Sequence, residues 1–181
     1  MDSSRMTVSR YHPALVVLHW LLALMLAVAL AMGSLVLEKL PNNDPEKIIA
    51  LRGHMIAGAL IALLMLARLV VRLRTAHPPA LRTGIAWADR LAGPAHVLLY
   101  GLVFLMAASG IALSLTTGLP QVVFLDQGAL PASFDGLTPR AVHGVASKLL
   151  LLAIALHIGA AVYHALVRHD GIMARMGLGR R

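Results

Sequence analysis

The chain has 181 residues, 59% of them hydrophobic and only 13% charged, with a mean hydropathy of +0.78, whereas a soluble domain is about half apolar and about a quarter charged. It contains no cysteine, which excludes disulfides, iron–sulfur clusters, thiolate zinc sites and covalently attached c-type haem. The formal charge of +8 does not point to a nucleic-acid partner, because aromatics are scarce and no basic stripe is interleaved with stacking residues.

The apolar residues fall into four blocks, the pattern of membrane spans. The first covers about 13–37 and is closed by Pro41 and Asn42-Asn43. Its opening, with Arg5 and Arg10 before a run ending AVALAMG, has the outline of a signal peptide. The run is longer than a signal's 7–15-residue apolar region, so a span is expected instead. The second block covers about 48–73, followed by Pro78-Pro79; the third covers about 92–116 and the fourth about 142–167. Each reaches the ~20 residues that cross a ~30 Å hydrocarbon core. The connection 117–139, with three prolines and several glycines, leaves room for a short surface helix. With no internal repeat and no room for a soluble domain, residues 1–181 read as a single membrane domain. The fold class expected is all-α, an integral membrane four-helix bundle.

Basic residues set the direction. Arg5, Arg10, Arg68, Arg72, Arg74, Arg82, Arg90, Arg168, Arg175, Arg180 and Arg181 lie at the end that carries both termini, with Asp2, Asp89 and Asp170. Lys39, Lys47, Arg52, Arg140 and Lys148 lie at the other end, balanced by Glu38, Asp44, Glu46, Asp126 and Asp135. All of the excess charge is therefore on one side. That predicts a multi-pass inner-membrane protein with both termini cytoplasmic, its basic side drawn to anionic membrane lipid.

Nine histidines occur; His12, His77 and His169 lie at or beyond span ends, where water satisfies them, and the other six lie within spans. In the fourth block His143 and His157 are 14 residues apart, which on a helix places them within ~40° of each other and ~21 Å apart along the axis. His164 continues that stripe. Span direction puts His19 at the depth of His157 near the cytoplasmic side, and His54 at the depth of His143 near the outer side. Two imidazole pairs on facing helices at two depths are what a bundle needs to hold two b-type haems. A four-coordinate zinc site needs its ligands at one depth. His96 also lies at the inner level and competes with His19 as the partner of His157. Small residues flank the histidines: Ala57 and Gly58 after His54, Ala153, Ala160 and Ala161 around His157, and Gly144 and Ser147 after His143. They let a flat macrocycle approach the backbone, and they equally serve helix–helix packing.

These residues resemble a known family. The "LHW" of the first span, the "GH" and closing "LARLVVRL" of the second, the "AHVLLYGL" of the third and the "VHG…ALHIGAAVYHALV" of the fourth are similar to bacterial cytochrome b561 over nearly the whole chain. The likeness is strongest to the family's superoxide oxidase branch and looser to the cytochrome b subunits of nickel hydrogenase and formate dehydrogenase. The resemblance implies two haem b groups, the inner held by His19 and His157 and the outer by His54 and His143, with His96 a non-ligand. It further implies electron transfer from superoxide at the periplasmic side to ubiquinone in the bilayer. The alternative it leaves is an electron carrier fed by a redox protein partner that docks on the short connections. Arg52, Arg140 and Lys148 beside the outer pair would attract an anion such as superoxide, although they also read as ordinary flanking charges. His164, Trp20, Arg68 and Arg72 are the candidates for the quinone site, an imidazole with a nearby guanidinium being suited to donate to a quinone carbonyl. Snorkelling accounts equally for the two arginines, and the interfacial aromatic belt for Trp20.

Overall fold

The computed structural model describes residues 9–79 and 86–177, with only the backbone of 86–88. Asp2, Arg5, Arg82, Arg180 and Arg181, used above to orient the spans, lie outside the described residues. All regular structure in the described chain is helical. Helix α1 (Pro13–Ala31) runs on into a π-helical segment (Met32–Leu37), α2 is Pro45–Arg74, α3 is Ala86–Thr116, and α4 is Leu119–Leu125. Helix α5 (Thr138–Tyr163) continues as a second π-helical segment (His164–Arg168), and α6 is Ile172–Arg175.

Local chemistry explains the helix starts. Pro13, Pro45 and Pro139 occupy the first turns of α1, α2 and α5, where the missing N–H costs nothing. Asp44 caps α2 by accepting from the Glu46 N–H at 2.9 Å. His12 does the same for α1, its Nδ1 accepting from the Ala14 N–H at 3.2 Å while the side chain stays exposed. Lys47 is more than a flanking charge: its side chain is buried, and Nζ donates to the carbonyls of Leu37 (2.6 Å) and Leu40. Those are carbonyls left over where the first span ends.

Four helices are long and apolar enough to cross a membrane: Pro13–Leu37, Pro45–Arg74, Asp89–Thr116 and Thr138–Arg168. Their outer faces are strings of exposed leucine, isoleucine and valine, among them Leu24, Leu63, Val97 and Leu156, which suits lipid rather than water. The closest packing pairs α3 with α5 and α1 with α2, while α2 also meets α3. Mid-bundle, Leu22, Ile61, Met65, Leu102, Val103 and Leu150 form one buried cluster drawn from all four helices. In lipid, close packing rather than the hydrophobic effect holds such a cluster together.

The expected short helix in the third connection is present, but it is not a plain surface element. Leu119, Val122 and Val123 of α4 are buried, and Leu119 and Val123 join Leu51 in a second apolar cluster with Leu37, Met55, Leu130 and Phe134 around it. Helix α4 therefore plugs the bundle at the end opposite the termini.

Candidate functional site: two histidine pairs across the bundle

At the α4 end, His54 on α2 faces His143 on α5, their ring centres 6.2 Å apart and their planes at 79°. The His143 Nδ1 lies 3.1 Å from both Ser109 Oγ and the Met106 carbonyl oxygen of α3. A carbonyl can only accept, so Nδ1 carries the hydrogen and Nε2 keeps its lone pair. Gly110 stands against this ring: a Cβ there would lie 3.2 Å from His143 Cε1. His54 Nδ1 is buried with no hydrogen-bond partner among the described residues.

Toward the termini, His19 on α1 faces His157 on α5, again with ring centres 6.2 Å apart and planes at 75°. His96 lies nearer to His157, at 5.6 Å, and its Nδ1 is 2.6 Å from the carbonyl oxygen of Ala92 in its own helix, which by the same argument leaves the lone pair on its Nε2. Arg68 Nη2 approaches His19 Nδ1 to 3.4 Å. A guanidinium only donates, so this is a hydrogen bond when Nδ1 bears the lone pair and a packing contact when Nε2 does.

The four histidines line one cavity of about 2610 Å³ that runs between the helices, well beyond the 300–1,000 Å³ of an ordinary small-molecule pocket. Gly58, one turn from His54, opens into it, and a Cβ there would meet no atom within 4 Å.

The spacing can be tested against a metal. With a metal–imidazole bond of about 2.0 Å and a nitrogen about 1.15 Å from the centre of its own ring, two trans ligands hold their ring centres about 6.3 Å apart. Both facing pairs meet that separation, and the His96–His157 pair falls short of it. The lone pair kept on His143 Nε2 and the open Gly58 surface both fit a bis-histidine macrocycle.

A model of the family described as prokaryotic cytochrome b561 matches residues 10–179. The chain belongs to the prokaryotic cytochrome b561 family. It is 26% identical over 172 residues to "Cytochrome b561 homolog 1" of Escherichia coli (strain K12), covering 93% of this chain and 97% of the relative. It is 28% identical over 162 residues to "Probable superoxide oxidase CybB" of Yersinia pestis, covering 88% and 90%. As a cytochrome b561 the chain is a multi-pass bacterial membrane protein of electron transfer, and the family implies b-type haem.

The other predicted residues of this cytochrome b561 are distributed between the two ends. His164, Trp20, Arg68 and Arg72 all line the cavity. Trp20 is already engaged, its Nε1 donating to the Met176 carbonyl at 3.1 Å. Arg68 lies over the Tyr100 ring, 5.7 Å from its centre. At the α4 end, Arg52 donates to the Val123 carbonyl (2.8 Å from Nε) and lies 3.6 Å from Asp126. Arg140 is 3.6 Å from Glu38 and lies over Gly144, where a Cβ would come within 3.1 Å of its Nη1. Lys148 and Arg140 border a smaller pocket of about 310 Å³ together with Glu38 and Asp135.

Sequence reasoning missed several participants. Tyr100 carries a buried hydroxyl without a hydrogen-bond partner among the described residues, and Ser109 and Met106 orient His143. Asp170, counted only as a charge, lies 2.5 Å from His164. A polar residue within reach of an intramembrane histidine after a helix break was the one available signal for Asp170; nothing in the sequence marks Ser109.

Proposed function

We propose that this cytochrome b561 binds two haem b groups, on His19/His157 and on His54/His143, and carries electrons from superoxide at the outer side to ubiquinone near the cytoplasmic side. The observation that carries the reading is the pair of 6.2 Å ring separations across one cavity. Bound there, the two groups supply a one-electron path along the bundle axis. The chain's own part is to fix the imidazoles, as Ser109 and Met106 do for His143, whose oriented Nδ1–H would leave Nε2 free to hold a haem. The single domain and the cytoplasmic placement of both termini belong to the same reading, the second supported by the arginines that gather at the end of the termini.

At the outer end, Arg140 and Lys148 line the cavity together with His143 and supply positive charge for an anion there, partly balanced by Glu38 and Asp135. Toward the cytoplasm, His164, Arg68 and Arg72 supply donors for a quinone carbonyl at the mouth of the cavity. The superoxide arm draws on the name of the Yersinia pestis relative.

One observation favours a second reading, an electron-transfer cytochrome b fed by a partner dehydrogenase, hydrogenase or other donor. Arg52 and Arg140 each stand 3.6 Å from a carboxylate, which weakens their pull on a free anion. Purified protein mixed with superoxide and ubiquinone separates the two. Rapid haem reduction, followed by quinol formation above the dismutation background, supports the enzyme. Haem that stays oxidised leaves the partner-fed carrier.

A further inference from the structure

Where α5 ends, the chain does not simply leave the membrane. His164 opens the π-helical segment, and such segments are frequent at functional sites. His169 and Gly171 then take left-handed backbone conformations, which fold the chain back over the end of the bundle. The return is anchored at three places: Arg175 donates to the Pro79 carbonyl at 2.7 Å, its own carbonyl accepts from the Tyr11 N–H at 3.3 Å, and Trp20 holds Met176. This fold-back brings Asp170 Oδ2 to 2.5 Å from His164 Nδ1, with both side chains largely buried, at 15% and 18% exposure. Asp170 Oδ1 accepts from the Ile172 N–H at 3.3 Å, so the carboxylate is itself fixed. His164 lines the cavity that holds His19 and His157, and Asp170 does not.

We propose that Asp170 is a positioning residue that makes His164 the proton donor to the reduced quinone. The proposal rests on the quinone reading above. A carboxylate on Nδ1 fixes the tautomer and ring direction, leaving Nε2 as the nitrogen for the cavity, and it stabilises the charged imidazolium. Reduction of a quinone to a quinol consumes two electrons and two protons. The electrons come from the donor at the other end of the bundle. The imidazolium gives its Nε2 proton to a quinone oxygen and becomes neutral, its Nδ1–H remaining on Asp170. Water at the membrane surface returns a proton to Nε2, and a second cycle supplies the other quinone oxygen. The ionisable groups on the segments packed around this pair are Tyr163 on α5, whose ring is 6.0 Å from that of His164, Arg168 beside it and Arg175 on α6.

The test is anaerobic mixing of chemically reduced, haem-loaded protein with a short-chain ubiquinone, following loss of the reduced haem bands across pH. Asp170→Asn keeps the capping capacity of the side chain and removes its charge. It should load haem as the wild type does yet reoxidise about ten- to a hundred-fold more slowly. Asp170→Glu should recover most of the rate. His164→Gln, which leaves Asp170 in place to accept from the Ile172 N–H, should be slowed at least as much, and adding Asp170→Asn to it should change little further. Asp170→Asn at the wild-type rate overturns the proposal, as does Asp170→Glu as slow as Asp170→Asn, His164→Gln at the wild-type rate, or full additivity of Asp170→Asn and His164→Gln. Wild-type haem that quinone does not reoxidise removes the quinone reading itself, and this proposal with it.

Discussion

Gly110→Ala is a one-methyl change whose consequence follows from the distances around His143. The new Cβ would lie 3.2 Å from His143 Cε1 and 3.5 Å from Nδ1, against an optimum carbon–carbon separation of about 3.5–4.0 Å. Relief requires the ring to move by roughly 0.5 Å. The ring is held by Ser109 Oγ and the Met106 carbonyl, both at 3.1 Å, and stretching those to about 3.6 Å breaks them. Because one Nδ1–H is shared between the two acceptors, the cost is that of one hydrogen bond, about 0.5–1.5 kcal/mol, borne by the geometry of one site. Haem content by pyridine haemochrome, together with the thermal midpoint of the holoprotein, should show loss of one haem or a marked weakening of its retention. Gly33→Ala is the control, because its Cβ would stand at an ordinary 3.8 Å from His54 Cε1. Full loading of both sites in Gly110→Ala, with unshifted bands and midpoint, would refute the role given to the His143 ring.

His54→Ala should halve the haem content and leave the His19/His157 site spectroscopically intact, whereas His96→Ala should retain both haems; loss of haem in the second variant reverses the assignment at His157. Gly58→Leu fills space that no protein atom occupies within 4 Å, so helicity should survive while haem content at the His54 site falls, and unchanged loading would mean the macrocycle lies elsewhere. Arg140→Glu should slow haem reduction by superoxide several-fold and flatten its dependence on ionic strength; stopped-flow traces identical to the wild type would favour the partner-fed carrier. The Asp170 carboxyl is held below its ordinary value: partial burial alone would raise it, but the hydrogen bonds from His164 and the Ile172 N–H, and the charge of Arg168, outweigh that. Its stabilising contribution is therefore complete above about pH 3.9 and lost as pH falls through the lower folded value, so amide exchange at 172–176 should accelerate only on acidification below about pH 4.

The spans were legible because bilayer thickness imposes a length and an apolar run that nothing in a soluble fold imitates. The pairing of histidines by depth was legible for a similar reason. Once span direction is known, a fixed rise per residue converts position in the chain into depth, and His19 does face His157 as His54 faces His143. Depth did not separate His19 from His96 at the inner level; what distinguishes them is the ring separation from His157, 6.2 Å against 5.6 Å. The partners of the basic residues were equally hidden. Arg52 is committed to the Val123 carbonyl because α4 folds back onto α2, and that fold-back depends on buried Leu119 and Val123, which read in sequence as unremarkable loop residues. Asp170 escaped notice because its meeting with His164 depends on the left-handed turn at His169 and Gly171, and only glycine advertises such a turn.

On the reading proposed above, the way the helices divide the work would let one chain hold two haems without a soluble-style core. Helices α3 and α5 pack closely, α1 and α2 pack closely, and the residues that join the two pairs in mid-bundle form a single apolar cluster. On either side of that cluster, facing imidazoles line one cavity, at His54/His143 toward α4 and at His19/His157 toward the termini. A group that binds this arrangement and not the unfolded chain adds its binding free energy to the fold. Ligand histidines should therefore govern stability as well as colour. Removing the His54/His143 clamp should loosen α2 from α5 at the α4 end, while the Leu22–Leu150 cluster keeps the other half assembled. One melting transition that splits into two in His54→Ala, with the site nearer the termini melting as in the wild type, is the signature of that division. A single transition lowered as a whole would mean that the mid-bundle cluster does not insulate one site from the other.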